Sequence, residues 1–289
     1  MPIKTAFFDY PEHDIIGKTL SGYFKKYFPN QPNLSTGKVK LANGEIIEIS
    51  KIYALIGDFF AIPDSPISGG ATLKERKQRY LAVFNLLNNA DPIKLKKILK
   101  IGEIQEEAVN KALERGEDPH EAIKKVANET NRLWDEATGG SYYPILQGEY
   151  LKIQATNVDH FADSAKKSYE AGHELALDIA KQAAKLIESG ESPDSDKVKK
   201  LIEQAIALEA GAGHYLTDAF SSGHVRTPRK ELNDLWTPSA LSGLLAYYMH
   251  HEEGERGVWV KNDKGQVWQT FGDGSLLNPY RIPPIIPPI

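Results

Sequence analysis

The sequence predicts a mainly α-helical protein carrying two small β-hairpins. Three observations carry that expectation. Long stretches rich in Leu, Ala, Lys and Glu run from residue 72 to 136 and from 160 to 218. Within them lie the loop and cap signals NNADP, RGEDP and GESPDSD. Only two short segments alternate in the period of a strand, KVKLANGEIIEIS and GVWVKNDKGQVWQTFGD.

Taken in order, EHDIIGKTLSGYFKKYF sets Ile15, Leu20 and Phe24 on one helical face, and PNQPN stops it. Asn43-Gly44 then sits between two alternating runs, and its tolerance of positive φ suits a tight hairpin turn. KIYALIGDFF is an apolar segment ending near Pro63. From Thr72 to about Glu136 the punctuation predicts three helices with Asp or Asn near their starts. HFADSAKKSYEAGHELALDIAKQAAKLIES is a helix of many turns, and KVKKLIEQAIALEAGAGHYLTDAF follows after a loop that supplies its cap. ALSGLLAYYMHHEE is a further helix, and the second hairpin turns at Asp263 to Gly265. NPYRIPPIIPPI is too rich in proline for regular structure and is expected to run extended. The domain reading is a single helical domain over residues 1–289, with a helical insertion at about 64–145 and an extended tail at about 279–289.

Composition narrows the function classes. No stretch approaches the roughly 20 apolar residues of a membrane span. MPIKTAFFDYPEH lacks the basic start and long apolar run of a secretory signal, which favours the cytoplasm while leaving a removed signal open. The net charge of −4 argues against a broad nucleic-acid footprint but not against a small phosphate ester. The chain has no cysteine, so any metal site must be built from His, Asp and Glu.

HYLTDAFSSGH, residues 214 to 224, is the densest set of such groups. His214 and Asp218 are four apart and stand over one another on a helix, a chelating spacing. Gly223 ends or bends the helix and lets His224 swing toward Asp218, whose two oxygens suit a bridge. The small residues of ALEAGAG, just upstream, let neighbouring side chains approach closely. Further candidates are Asp159, His160 and His173 in NVDHFADSAKKSYEAGH, and His250, His251, Glu252, Glu253 and Glu255 in YMHHEEGE. His13, between Glu12 and Asp14, reads by itself as an exposed residue. A core helix with hydrogen-bonded His and a capping Asp is the competing reading of the same spacing.

His214, Asp218 and His224, together with His160-Phe161 opening a long helix and His13 shortly before Ile15-Ile16, resemble the zinc-dependent phospholipases C and the related single-strand-specific nucleases. IGDFF and SSGHVRTPRKEL resemble stretches of the phosphatidylcholine phospholipase C branch, and the likeness is densest over residues 148–275. The resemblance implies a multi-helix bundle with two or three divalent ions, Zn²⁺ in the family, while an N and O shell also suits Fe²⁺ or Mn²⁺. It implies a first metal held by His160, His214, Asp218 and either Asp58 or Asp159. His224, His250 and Glu253 would hold a second, with His251 and Glu255 as alternatives, and His13 with Asp218 a third. The family's N-terminal tryptophan ligand has no counterpart here, and His173 is either a substitute or a core hydrogen-bonding group.

The implied activity is hydrolysis of a phospholipid headgroup or another phosphodiester by a metal-activated water. Asp58 or Asp159 would accept the proton; Arg226 and Arg229, directly after the site, would either hold a phosphate oxygen or make surface or helix-end pairs. Two other readings stand beside it: an iron or manganese biosynthetic enzyme on the same fold, and a non-catalytic helical interaction protein.

Overall fold

The computed structural model describes residues 10–141, 145–235 and 239–272, so the proline-rich tail lies outside the described residues, as does the side chain of Glu255. The architecture is mainly helical with two antiparallel hairpins. It begins with α1 (Tyr10–Tyr27), β1 (Lys38–Lys40), β2 (Ile46–Glu48) and α2 (Ile49–Leu55). Three longer helices follow, α3 (Leu73–Asn88), α4 (Pro92–Arg115) and α5 (Pro119–Ala137), then the short α6 (Glu149–Thr156). The second half holds α7 (Ala162–Glu188), α8 (Asp196–Asp218), α9 (Ser222–Val225), α10 (Arg229–Leu235), α11 (Ser239–Arg256), β3 (Val258–Lys261) and β4 (Val267–Thr270). No helix among the described residues is long and apolar enough to cross a membrane.

Local chemistry accounts for the boundaries. Thr72 and Glu75 form a reciprocal capping box at the start of α3. Asp91 and Asp118 cap α4 and α5, each followed by a proline at the first helical position, and Gly116 closes α4 in the left-handed conformation. Ser195 caps α8. The hairpins pair Lys38 with Glu48 and Val258 with Thr270 at their open ends, and Gly44 and Gly265 take positive φ in the turns.

α7 and α8 pack along one another, α2 lies across α8, and α3 against α7. The apolar core runs through Ile52, Leu55, Ile56, Tyr80, Leu87, Leu95, Ile98, Leu208 and Tyr215, all essentially sealed from solvent. Each such Leu or Ile contributes about 1.5–3 kcal/mol by leaving water. Because Tyr80, Leu87, Leu95, Ile98 and Trp134 belong to this core, the 64–145 segment shares the interior of the protein. Tyr80 of α3 even donates its hydroxyl hydrogen to the Leu208 carbonyl of α8.

The small residues of α8 set the approach distances. A Cβ on Gly213 would lie 2.1 Å from the Tyr53 ring, so only glycine lets α2 come this close to α8. That contact brings the Tyr53 carbonyl to His214, and it is where the packing begins to build the site.

Candidate metal centre

Six parts of the chain deliver side chains to one buried cluster. The first turn of α1 supplies His13, which is 1 % exposed, with Glu12 and Asp14 equally buried beside it. This overturns the reading of His13 as a surface residue. α1 points its charged N-terminal end inward while Tyr23 and Tyr27, at its other end, are exposed. The turn after α2 supplies Asp58, the segment before α7 supplies His160, and the end of α8 supplies His214 and Asp218. α9 supplies His224, and α11 supplies His250 and Glu253. All eight are buried.

Asp218 lies at the centre, and its two oxygens face different partners. Oδ2 is 2.7 Å from His160 Nδ1 and 3.2 Å from His214 Nε2. Oδ1 is 3.5 Å from His13 Nε2 and 3.6 Å from His224 Nδ1. Short as these separations are, neither oxygen has an aligned hydrogen-bond donor among the described residues. His160 Nδ1 is also 3.2 Å from His214 Nε2 and 4.0 Å from Asp58 Oδ1. His13, Asp58 and His214 each offer one ligand atom within 4.8 Å of one another, as do His160, His214 and Asp218.

The orientation of His214 has a visible cause. Its Nδ1 donates to the Tyr53 carbonyl at 2.7 Å, which leaves Nε2 without hydrogen and aimed at Asp218. Gly57, at φ 86, turns the chain beneath it. A Cβ there would lie 2.7 Å from both His160 Nε2 and His214 Nε2. The backbone therefore gives way where the two imidazoles meet.

Electrostatics agree with a buried cluster of acceptors. Burial pushes Asp218 up to about 7, partly offset by His214. Burial, then the charge of Asp218, holds Asp58 well above the usual carboxylate range. His160 and His214 are pushed down to about 4 and His250 to about 3, in each case chiefly by burial. His13 and His224 are lowered in the same way, with neighbouring imidazoles adding to the effect. A cluster of neutral imidazoles and reluctant carboxylates in the interior is costly unless a cation lies among them. His224 makes the point most plainly, since both its ring nitrogens are buried without a hydrogen-bond partner among the described residues. The residues present thus fit divalent cations held by nitrogen and oxygen.

The open choices separate spatially. Asp159 does not face the cluster with spare oxygens: it accepts from the Ile67 and Ser68 amides at 2.7 and 2.9 Å and from the Ser168 hydroxyl at 3.0 Å. It pins the 3-10 turn at Ile67–Gly69 to α7, which leaves Asp58 as the acid beside His160. His173 is half-exposed, pairs with Glu209 at 2.9 Å and stacks on Tyr169, on the outer part of α7. His250 packs its ring 4.7 Å from that of His224, whereas the His251 ring lies 4.1 Å from Tyr247. Glu252 pairs with Arg256 at the surface, and Glu253, one helical turn after His250, is buried, its Oε2 without a hydrogen-bond partner among the described residues.

Of the two readings of Arg226 and Arg229, the contacts present are those of pairing. Arg229 is 4 % exposed and donates to the carbonyls of Gln154, at 3.3 Å, and Ala155, closing the C-terminal end of α6. Arg226 donates to Glu253 Oε1 from Nε and lies 2.7 Å from the same oxygen through Nη2. Its charge is spent on holding that carboxylate, whose other oxygen faces inward.

Sequence reasoning missed three supports of the cluster. The Tyr53 carbonyl and the Thr217 hydroxyl fix imidazoles, and Gln154 sets its side-chain amide 3.4 Å from Asp58 Oδ1. Nothing in their spacing marks them, because each partner lies far away in the chain. A cavity of about 370 Å³ lined by Phe59, Phe60 and Ile153 adjoins the Asp58 turn, but none of the eight cluster residues lines it.

No family model, curated protein or solved structure matches the chain.

Proposed function

We propose that the protein is a metal-dependent phosphoric ester hydrolase, acting on a phosphodiester or a phospholipid headgroup. The single observation that carries this reading is the bridging position of Asp218, with two imidazole nitrogens facing each of its oxygens inside a sealed, cysteine-free interior. His160, His214, Asp58 and Asp218 would hold one cation. His224, His250 and Glu253 would hold a second, and His13 with Asp218 a third. Bound divalent cations supply charge stabilisation to the phosphoryl oxygens and acidify water.

The chain's own groups do the rest. Asp58, whose carboxyl burial holds above the usual carboxylate range, would be the group that accepts a proton. The Gln154 amide, directed at Oδ1 and at the Asp58 carbonyl, holds that carboxylate in place. Arg226 keeps one Glu253 oxygen turned outward.

The test is metal content of the purified protein together with turnover of bis(p-nitrophenyl) phosphate and of phosphatidylcholine. The reading expects two or three divalent ions per chain and release of a phosphomonoester or headgroup. A full metal complement with no turnover of either class moves the assignment to a metal enzyme of other chemistry, and less than one equivalent after reconstitution removes the metal reading.

A further inference from the structure

Thr217 occupies the turn of α8 between His214 and Asp218 and is half-buried. Its hydroxyl oxygen lies 2.7 Å from the His214 carbonyl oxygen and 3.0 Å from His13 Nδ1. A hydroxyl has one hydrogen to donate, and a carbonyl can only accept. The Thr217 hydrogen is therefore committed to the His214 carbonyl, and toward His13 the hydroxyl is an acceptor. His13 Nδ1 must then be the nitrogen that carries hydrogen.

A neutral imidazole has one N–H, so His13 Nε2 presents its lone pair. That is the nitrogen 3.5 Å from Asp218 Oδ1. The ring is buried and stacked on that of His214 at 4.1 Å.

We propose that Thr217 is a positioning residue for a metal held by His13 and Asp218 Oδ1, acting by locking His13 in the tautomer with hydrogen on Nδ1. The proposal rests on the metal reading above and adds to it a group that is not itself a ligand. His214 has the same kind of lock, but there the acceptor is the Tyr53 backbone carbonyl, which no substitution removes. At His13 the lock is a side chain 204 residues away in sequence, so it can be taken out alone. Without it, nothing on residue 217 holds the hydrogen on Nδ1, and a hydrogen on Nε2 would take the place of the lone pair that faces Asp218 Oδ1 at 3.5 Å.

The experiment compares wild type with Thr217→Val, which keeps the shape and removes the acceptor, and Thr217→Ser, which restores it. Thr217→Ala, also without an acceptor, stands in if the valine variant folds poorly. In protein stripped of metal, nitrogen-15 correlation spectra of the histidine rings report each tautomer. We expect His13 hydrogen on Nδ1 in wild type and the serine variant, and on Nε2 in the valine variant. Equilibrium titration with Zn²⁺ should then show one equivalent weakened by about 10- to 100-fold in the valine variant and recovered in the serine variant, the others holding at wild-type affinity.

Retention of hydrogen on Nδ1 in the valine variant overturns the lock, and equal weakening of every equivalent overturns its assignment to one metal. Wild-type protein that takes up no Zn²⁺ removes the metal reading and the metal role of Thr217 with it. The tautomer spectra still decide whether Thr217 sets His13.

Discussion

His214 and Asp218 face one another across a single turn of α8, with Nε2 3.2 Å from Oδ2 and neither side chain exposed. Since the His214 hydrogen is given to Tyr53, both atoms of this pair are acceptors, and a cation between them would resolve the conflict. Asp218 meets His13 and His224 through its other oxygen. Replacing Asp218 by Ala should therefore remove more than one equivalent of metal, measured by elemental analysis after dialysis. Loss of a single equivalent would show that Asp218 does not bridge.

His173 provides the contrasting case. Its Nδ1 is engaged by Glu209 at a half-exposed position. His173→Ala should leave metal content and turnover unchanged, and any lost equivalent would place it in the centre.

Gly57 has no room for a side chain. Its φ of 86 disfavours any residue with a Cβ by about 1–2 kcal/mol, and that Cβ would press on His160 and His214 at 2.7 Å. Gly57→Ala should lower thermal stability and weaken metal binding together, read by calorimetry and Zn²⁺ titration. Wild-type metal affinity in this variant would mean the two imidazoles are not held by the Gly57 turn.

Ala162, two residues after His160, adopts φ 47, in the left-handed region that a Cβ penalises. Glycine there relieves the strain, and Ala162→Gly should raise unfolding stability by about 1 kcal/mol, measured by urea denaturation, once its own chain entropy is subtracted. A destabilised variant would contradict the assigned conformation.

Stripped of metal, the protein should lose stability as pH falls from 7 to 5. His13, His160, His214, His224 and His250 all have lowered values, so below about 6.5 the unfolded chain binds protons that the folded one does not. Asp58 and Asp218 are raised and act in the opposite sense, costing stability as pH climbs toward 7. Five imidazoles outweigh two carboxylates, so the acid side dominates, and melting temperatures recorded at both pH values check the sign. Greater stability at pH 5 would show that the imidazoles are already paired with protons in the fold.

Much of the architecture was legible before folding because its determinants are local. Helix caps at Asp91, Asp118 and Ser195 act within one turn, and the spacing of His214 and Asp218 on one face follows from helical pitch alone. The short helices α6, α9 and α10 were not legible, since 8, 4 and 7 residues are too few to display a periodicity. His13 looked like a surface residue because no neighbour in its own segment explains its burial.

What remained open was decided by contacts between distant segments. Asp58 and Asp159 are equivalent as letters, and they differ because Asp159 meets the Ile67 and Ser68 amides, 92 and 91 residues away. Arg226 and Arg229 suit phosphate binding or helix-end pairing equally as letters, and the fold sets one on Glu253 and the other on the end of α6. The residue types and their helical spacing set out a supply of metal-binding groups. Only the packed chain assigns each hydrogen and lone pair a partner, because a hydrogen bond depends on distances that no local pattern encodes.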